Sequence, residues 1–169
     1  MSSIATALLH FCEWSNASFW GKAIRESVWL FPVVEIFHLL ALAVLGAIVI
    51  ILNARLVGIG FRGERGVTLS QEFRPWIFGC VVVMLVSGYL LFSTEAVKMY
   101  GNWAFQAKMI FLALALLYTY TIHLRLVARD NLGAAVRWAA AIISVLLWTG
   151  VGLGGRALGY VTTAATAAN

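Results

Sequence analysis

The chain has 169 residues, 62% of them apolar and only 11% charged, with 12 basic and 7 acidic side chains and a formal charge of +5. Soluble domains carry about 25% charged residues, and one core of this size cannot withdraw so much apolar surface from water, so the expected solvent is lipid. Soluble enzymes, secreted disulfide scaffolds and disordered chains are thereby excluded, and so is nucleic acid as a partner, because the basic residues lie between apolar runs and form no patch.

The first element is the segment 1–26. It lacks a basic start, and His10 and Glu13 interrupt its short apolar stretch, which does not fit a cleaved signal peptide. Ile4, Leu8 and Phe11 recur at helical spacing, which predicts an amphipathic helix lying in the membrane interface. Trp14 and Trp20 suit an aromatic belt at that depth. Asn16-Ala17-Ser18 matches the glycosylation pattern, but without a eukaryotic secretory context the match carries no weight.

Four apolar runs of membrane length follow, at 28–54, 76–92, 103–124 and 134–151. Each approaches the ~20 residues that a helix needs to cross ~30 Å of hydrocarbon. None alternates as a barrel strand would, and a barrel requires at least about eight strands. The fold class expected is therefore all-α, a polytopic membrane four-helix bundle over 27–155 with the interfacial N-terminal helix. The segment 156–169 is rich in Gly, Ala and Thr and is expected to be a flexible tail. Arg55, Arg62, Arg65 and Arg74 lie between spans one and two, and Arg125, Arg129 and Arg137 flank the connection of spans three and four. The positive-inside rule then puts those ends in the cytoplasm and both termini in the periplasm, with Lys22 and Arg25 as a minor contrary signal. The two cysteines, Cys12 and Cys80, lie far apart without metal-ligand spacing, so no disulfide framework is expected. Cys80, inside an apolar run, reads as a small hydrophobe.

Spans one and three end alike, as Asn53-Ala54-Arg55-Leu56-Val57 and His123-Leu124-Arg125-Leu126-Val127. Both run in the same direction, so aligning these endings puts Asn53 level with His123 and His38 level with Lys108. Fifteen helical residues rise about 22 Å, so His38 and His123 cannot ligate one haem iron. His123 is expected at the cytoplasmic edge, capping a helix end.

The polar residues inside the spans carry the chemistry. His38 lies well inside span one, with Glu35 one turn earlier, and Lys108 enters span three from the same side. Ionisable groups at such depth are functional by default, and a Glu35–Lys108 pair beside His38 would lower the burial cost of both charges. The plain alternative is a clasp between spans one and three. Met84 of span two reaches the depth of His38 and is a candidate thioether ligand, in the manner of His/Met haem or copper sites; a lone Met in a span is otherwise core filler. Gly46, Gly79, Ser87 and Gly88 are small enough for close helix approach or for a flat ring. Tyr89, Tyr118 and Tyr120 read as anchors or as contacts for propionates or protons. His10 reads as an interfacial residue that meets His38 only if its segment dips inward. No nucleophile elbow, phosphate loop, Cys-x-x-Cys or H-E-x-x-H motif is present.

Three stretches together resemble a family: Glu35-Ile36-Phe37-His38-Leu39-Leu40, Ser87-Gly88-Tyr89-Leu90-Leu91-Phe92 and Trp103-Ala104-Phe105-Gln106-Ala107-Lys108-Met109. They are similar to the bacterial four-helix membrane proteins around HemJ-type protoporphyrinogen oxidase and the copper-resistance D protein, as a branch of that group. The likeness covers about 28–127. It implies haem b as cofactor, His38 as its axial metal ligand, Lys108 as a functionally required lysine, and residence in the bacterial inner membrane. The chain departs from that pattern in its N-terminal extension, in Glu35, and in a third-span histidine displaced toward the cytoplasm. These departures bear on enzymatic activity more than on haem.

Three functional expectations result. The first is a haem b protein with His38 as ligand and Glu35, Lys108 and Met84 around the cofactor, in electron transfer or porphyrin oxidation. The second is a non-catalytic subunit packing against a larger membrane complex or a second copy of the chain. The third is a copper or proton conduit. Whether the chain is an enzyme, and which residues would be catalytic, the sequence leaves open.

Overall fold

The structure, a computed structural model, describes residues 3–60, 65–129 and 131–167, the side chains of 3–5 and 158–167 excepted. It is all-α, with no strand among the described residues. Helices α1 (Ser3–Ala17), α2 (Phe19–Glu26), α3 (Leu30–Val57), α4 (Gly66–Thr94), α5 (Ala96–Tyr100) and α6 (Trp103–Tyr118) lead into a π-helical segment, Thr119–His123. Helices α7 (Leu124–Val127) and α8 (Ala134–Ala167) complete the chain. Four stretches are long and apolar enough to cross a membrane: Leu30–Val57, Gly66–Thr94, Trp103–Val127 and Ala134–Ala157. The fold is thus a four-helix membrane bundle with an N-terminal helical extension.

Several boundaries differ from those the sequence predicts, each for a local reason. The N-terminal segment is two helices, because Ser18 caps a new start by accepting a hydrogen bond from the Gly21 amide at 3.1 Å. Helix α4 begins ten residues before the apolar run at Trp76 and passes through Pro75. Hydropathy marks the part that suits lipid, whereas Ser70, Gln71 and Glu72 extend the same helix beyond it. Helix α8 continues to Ala167, so the expected flexible tail is helical over its described part; residues 168 and 169, like Arg62 and the side chain of Ile4, lie outside the described residues. The link between spans two and three contains α5, whose Lys98 pairs with Glu95 at 2.7 Å.

Helix α3 stops at Gly58, whose φ of 81° is the left-handed conformation that glycine adopts without strain. The Gly58 amide bonds back to the Arg55 carbonyl and the Ile59 amide to that of Ala54, the paired bonds of a Schellman cap.

The chain forms two compact units, Met1–Ala43 with Cys80–Trp103, and Val44–Gly79 with Ala104–Asn169. In the first, α1 packs on α2 and α5. The Arg25 guanidinium ties the junction together by donating to the Asn16 side-chain and main-chain oxygens at 3.0 Å each, and to the Thr94 carbonyl at 3.1 Å. Among the described residues, the buried ones of this unit are mostly small or polar: Cys12, Ser15, Gly21, Ala41, Ser87, Ser93, Thr94, Ala96 and Asn102, with Ile24 and Met84 the larger apolar exceptions. Burial, and then the Glu13 carboxylate beside it, pushes the Cys12 thiol above its ordinary pKa.

The second unit holds a larger aliphatic core. Leu45, Ile48, Val49, Leu52 and Leu56 form a buried stripe on α3 at helical spacing, with Ile77, Ala115, Val127 and Val151 also buried. Close approach of α6 to α8 depends on Gly150 and Gly154, four residues apart on one face of α8. A Cβ on Gly150 would sit 2.6 Å from the Phe111 ring, and one on Gly154 would sit 3.0 Å from Lys108 Cβ. Small residues at this spacing are the usual means of packing helices where lipid, not water, surrounds them. Outward positions such as Ile36 and Ile50, 61% and 69% exposed, remain apolar, as a lipid-facing surface requires.

Candidate functional site

The first unit holds the candidate ligand set. His38 lies on the inward side of α3, one and two turns before Ala41 and Leu45, and is half-buried. Its ring meets α4. Nδ1 lies 2.9 Å from Ser87 Oγ, and the Ser87 hydroxyl in turn donates to the Val83 carbonyl at 2.6 Å. A Cβ on Gly88 would lie 3.3 Å from His38 Cε1, so the imidazole edge rests against bare α4 backbone. Met84 is buried one turn before Ser87 and Gly88, on the same face. His38 therefore meets the α4 face that carries Ser87 and Gly88.

Glu35 lies on another side of the helix. Its side chain is on the exposed side of α3, and the partner that the structure shows at Nδ1 of His38 is Ser87. The inward stripe runs through Val34, His38 and Ala41, and Glu35 is rotated about 100° from Val34. His10 is exposed on α1, where Nδ1 lies 3.7 Å from Glu13 Oε2. Tyr89, at the same end of α4, has its hydroxyl 3.4 Å from Ser15 Oγ.

Lys108 belongs to the second unit. Its side chain runs along Gly154 and Gly155, and a Cβ on Gly155 would meet Nζ at 3.5 Å. The glycine pair gives the lysine stem a groove in the α8 surface, so the ammonium is held along a defined line.

The second unit contains a polar cluster that sequence reasoning undervalued. His123 is 1% exposed, and its side chain does not cap a helix end as expected. Its Nε2–H donates to Asn53 Oδ1 at 2.9 Å, and Asn53 Nδ2 donates to Ser144 Oγ at 3.2 Å, linking α3, the π segment and α8. The level match of Asn53 with His123, inferred from the repeated endings, is thus a direct contact. Around it Tyr118 donates to the Ala140 carbonyl at 2.9 Å, and the Trp148 indole donates to Thr119 Oγ1 at 3.3 Å. Ala115, Thr119, His123 and Val127 are all buried, and successive steps of four drift by about 40° in an ordinary α-helix. The wider π turn offsets that drift and keeps the four on one side. Every polar atom of the His123–Asn53–Ser144 chain named above is bonded, which suits a scaffold.

Comparison with known proteins adds one assignment. No curated protein and no solved structure gives a significant match to the chain. Residues 11–161, most of the chain, match the model of a family described as a family of unknown function (DUF6644), and the chain belongs to that family.

Proposed function

We propose that the protein is an integral-membrane haem b-binding protein that uses His38 as an axial ligand, in electron transfer or in oxidation of a porphyrin. The observation that carries this reading is a half-buried imidazole inside a membrane span, seated on Ser87 and Gly88. Lipid makes such a group costly to keep, and function is the usual reason for its retention. The donor chemistry fits the group. His38 would hold the haem iron through a ring nitrogen, and Met84, buried on the α4 face that carries Ser87, would be the candidate sulfur donor. Among the described residues no three His, Cys, Asp or Glu side chains gather, so the set suits haem better than a copper site built from several such ligands.

When bound, haem supplies one-electron chemistry. The chain's part is to hold the ring nitrogen in place, keep water away with the apolar walls of α3 and α4, and present the cofactor to a partner in the bilayer, such as a quinone or a membrane protein. Lys108 remains in this reading as the lysine that the resemblance to the HemJ-type group implies is required. With the arginine-bearing helix ends in the cytoplasm, His38 lies in the outer half of a bacterial inner membrane and both termini are periplasmic.

Absorption spectroscopy of protein purified from haem-replete cells tests the reading. A Soret band is expected, lost in His38→Ala and altered in position or intensity in Met84→Leu. A colourless wild-type preparation overturns it.

A further inference from the structure

Ser87 has one hydroxyl proton, and the geometry fixes where it goes. Its Oγ is 2.6 Å from the Val83 carbonyl oxygen, an atom that can only accept. The same Oγ is 2.9 Å from His38 Nδ1. With its proton committed to Val83, Ser87 can only accept from the ring, so Nδ1 must be the protonated nitrogen. A neutral imidazole protonated at Nδ1 carries its lone pair on Nε2. Ser87 is buried at 5% exposure, so water does not compete for its hydroxyl. Gly88 brings the ring edge against α4 and helps to hold it where that bond is made.

We propose that Ser87 is a positioning residue that locks His38 in the Nδ1–H tautomer and so sets Nε2 as the basic, metal-ligating nitrogen. Nothing in the composition or spacing of the sequence assigns Ser87 this part; there it counts only as a small residue. The inference deepens the haem reading and rests on it for the nature of what Nε2 binds, whereas the tautomer stands on hydrogen bonding alone. The logic is that of metal-binding histidines in general, whose second ring nitrogen is fixed by an acceptor that also orients the ring.

The test is nitrogen NMR on full-length protein carrying 15N-labelled histidine, purified from haem-depleted cells, with His38→Gln to assign the His38 signals. The wild type is expected to show a pyrrole-type Nδ1 and a pyridine-type Nε2 at His38. Ser87→Ala is expected to lose that pattern, and Ser87→Thr, which keeps the hydroxyl, to restore it. The same three proteins are then titrated with haemin. Ser87→Ala should bind about 10–100-fold more weakly, the usual loss when such an acceptor is removed, and Ser87→Thr should recover. An Nε2–H signal at His38 in the wild type, or an unchanged pattern in Ser87→Ala, overturns the proposal. If the tautomer behaves as expected but wild-type protein takes up no haemin, the haem reading falls and the role of Ser87 in fixing the ring stands.

Discussion

Two inward histidines, one in each unit, are held by their hydrogen bonds in opposite ways. His38 gives its Nδ1–H to Ser87, stays half-buried, and has small or polar neighbours in a unit whose buried set is mostly small. His123 gives its Nε2–H to Asn53, is sealed at 1% exposure, and sits in a unit whose core contains Leu45, Leu52, Ile77 and Val127. The second ring closes a bonded chain across three helical elements; the first bonds a hydroxyl of the next helix. A histidine type in a span therefore says little until its burial and tautomer are known. The first arrangement suits a site, the second a brace.

Removing each ring is the most direct way to break that contrast. His123→Ala leaves a cavity and an orphaned Asn53 amide, and should destabilise the fold by about 2–4 kcal/mol. His38→Ala should change stability by less than about 1 kcal/mol, since a half-buried side chain leaves little void, yet remove the Soret band. Chemical denaturation in detergent, followed by circular dichroism beside the visible spectrum, measures both. Equal losses of stability would erase the distinction between brace and site.

Packing of the second unit offers the next effect in size. Gly150→Ala sets a methyl group 2.6 Å from the Phe111 ring, and either the ring or α6 must move. Overpacking of this kind destabilises by about 1–3 kcal/mol. The accompanying Phe111→Leu change should recover much of that loss by freeing the space, a result read from the shift in denaturation midpoint at constant slope. No recovery would mean that the Phe111 ring does not set the distance between α6 and α8.

How much of this was legible beforehand depends on which physical property each feature expresses. Apolar runs report burial in lipid, so the four spans stand out, but they do not report helix, and α4 therefore starts ten residues before its run. The inward stripe on α3 is a matter of angle. Counting back from Leu45 through Ala41 and His38 reaches Val34, and the same count turns Glu35 outward; that signal was in the sequence, and one-turn spacing alone conceals it. The shared endings of spans one and three carried real depth information, because Asn53 and His123 do meet. The π segment had no comparable signature. It is a local widening that keeps Ala115, Thr119, His123 and Val127 on one buried side, and it accompanies the burial of His123. The hydroxyl bond that fixes the His38 tautomer depends on which helix faces α3, a tertiary fact beyond the reach of spacing.

A double-mutant cycle sharpens the brace further. Asn53→Leu and His123→Leu each strand a buried polar partner, whereas the two together replace a polar pair by apolar volume. Coupling between them of about 0.6–1.7 kcal/mol is expected, the range for hydrogen bonds between helices inside a membrane. Thermal unfolding of the four proteins in one detergent measures it, and additive losses would show that the two side chains do not act together.

The smallest effect is the most discriminating. Ser144 closes the far end of the chain by accepting from Asn53 at 3.2 Å, longer than the 2.9 Å bond between Asn53 and His123. Hydrogen bonds between helices inside a membrane contribute only about 0.6 kcal/mol on average, because the unfolded chain in lipid also finds partners. Ser144→Ala should therefore lower stability by about that amount, far less than His123→Ala. A loss as large as that of His123→Ala would place the strength of the brace in the outer link and make the imidazole a passenger. A small loss leaves the weight of the network on the sealed ring and the amide it touches, which is the sense in which His123 is structural.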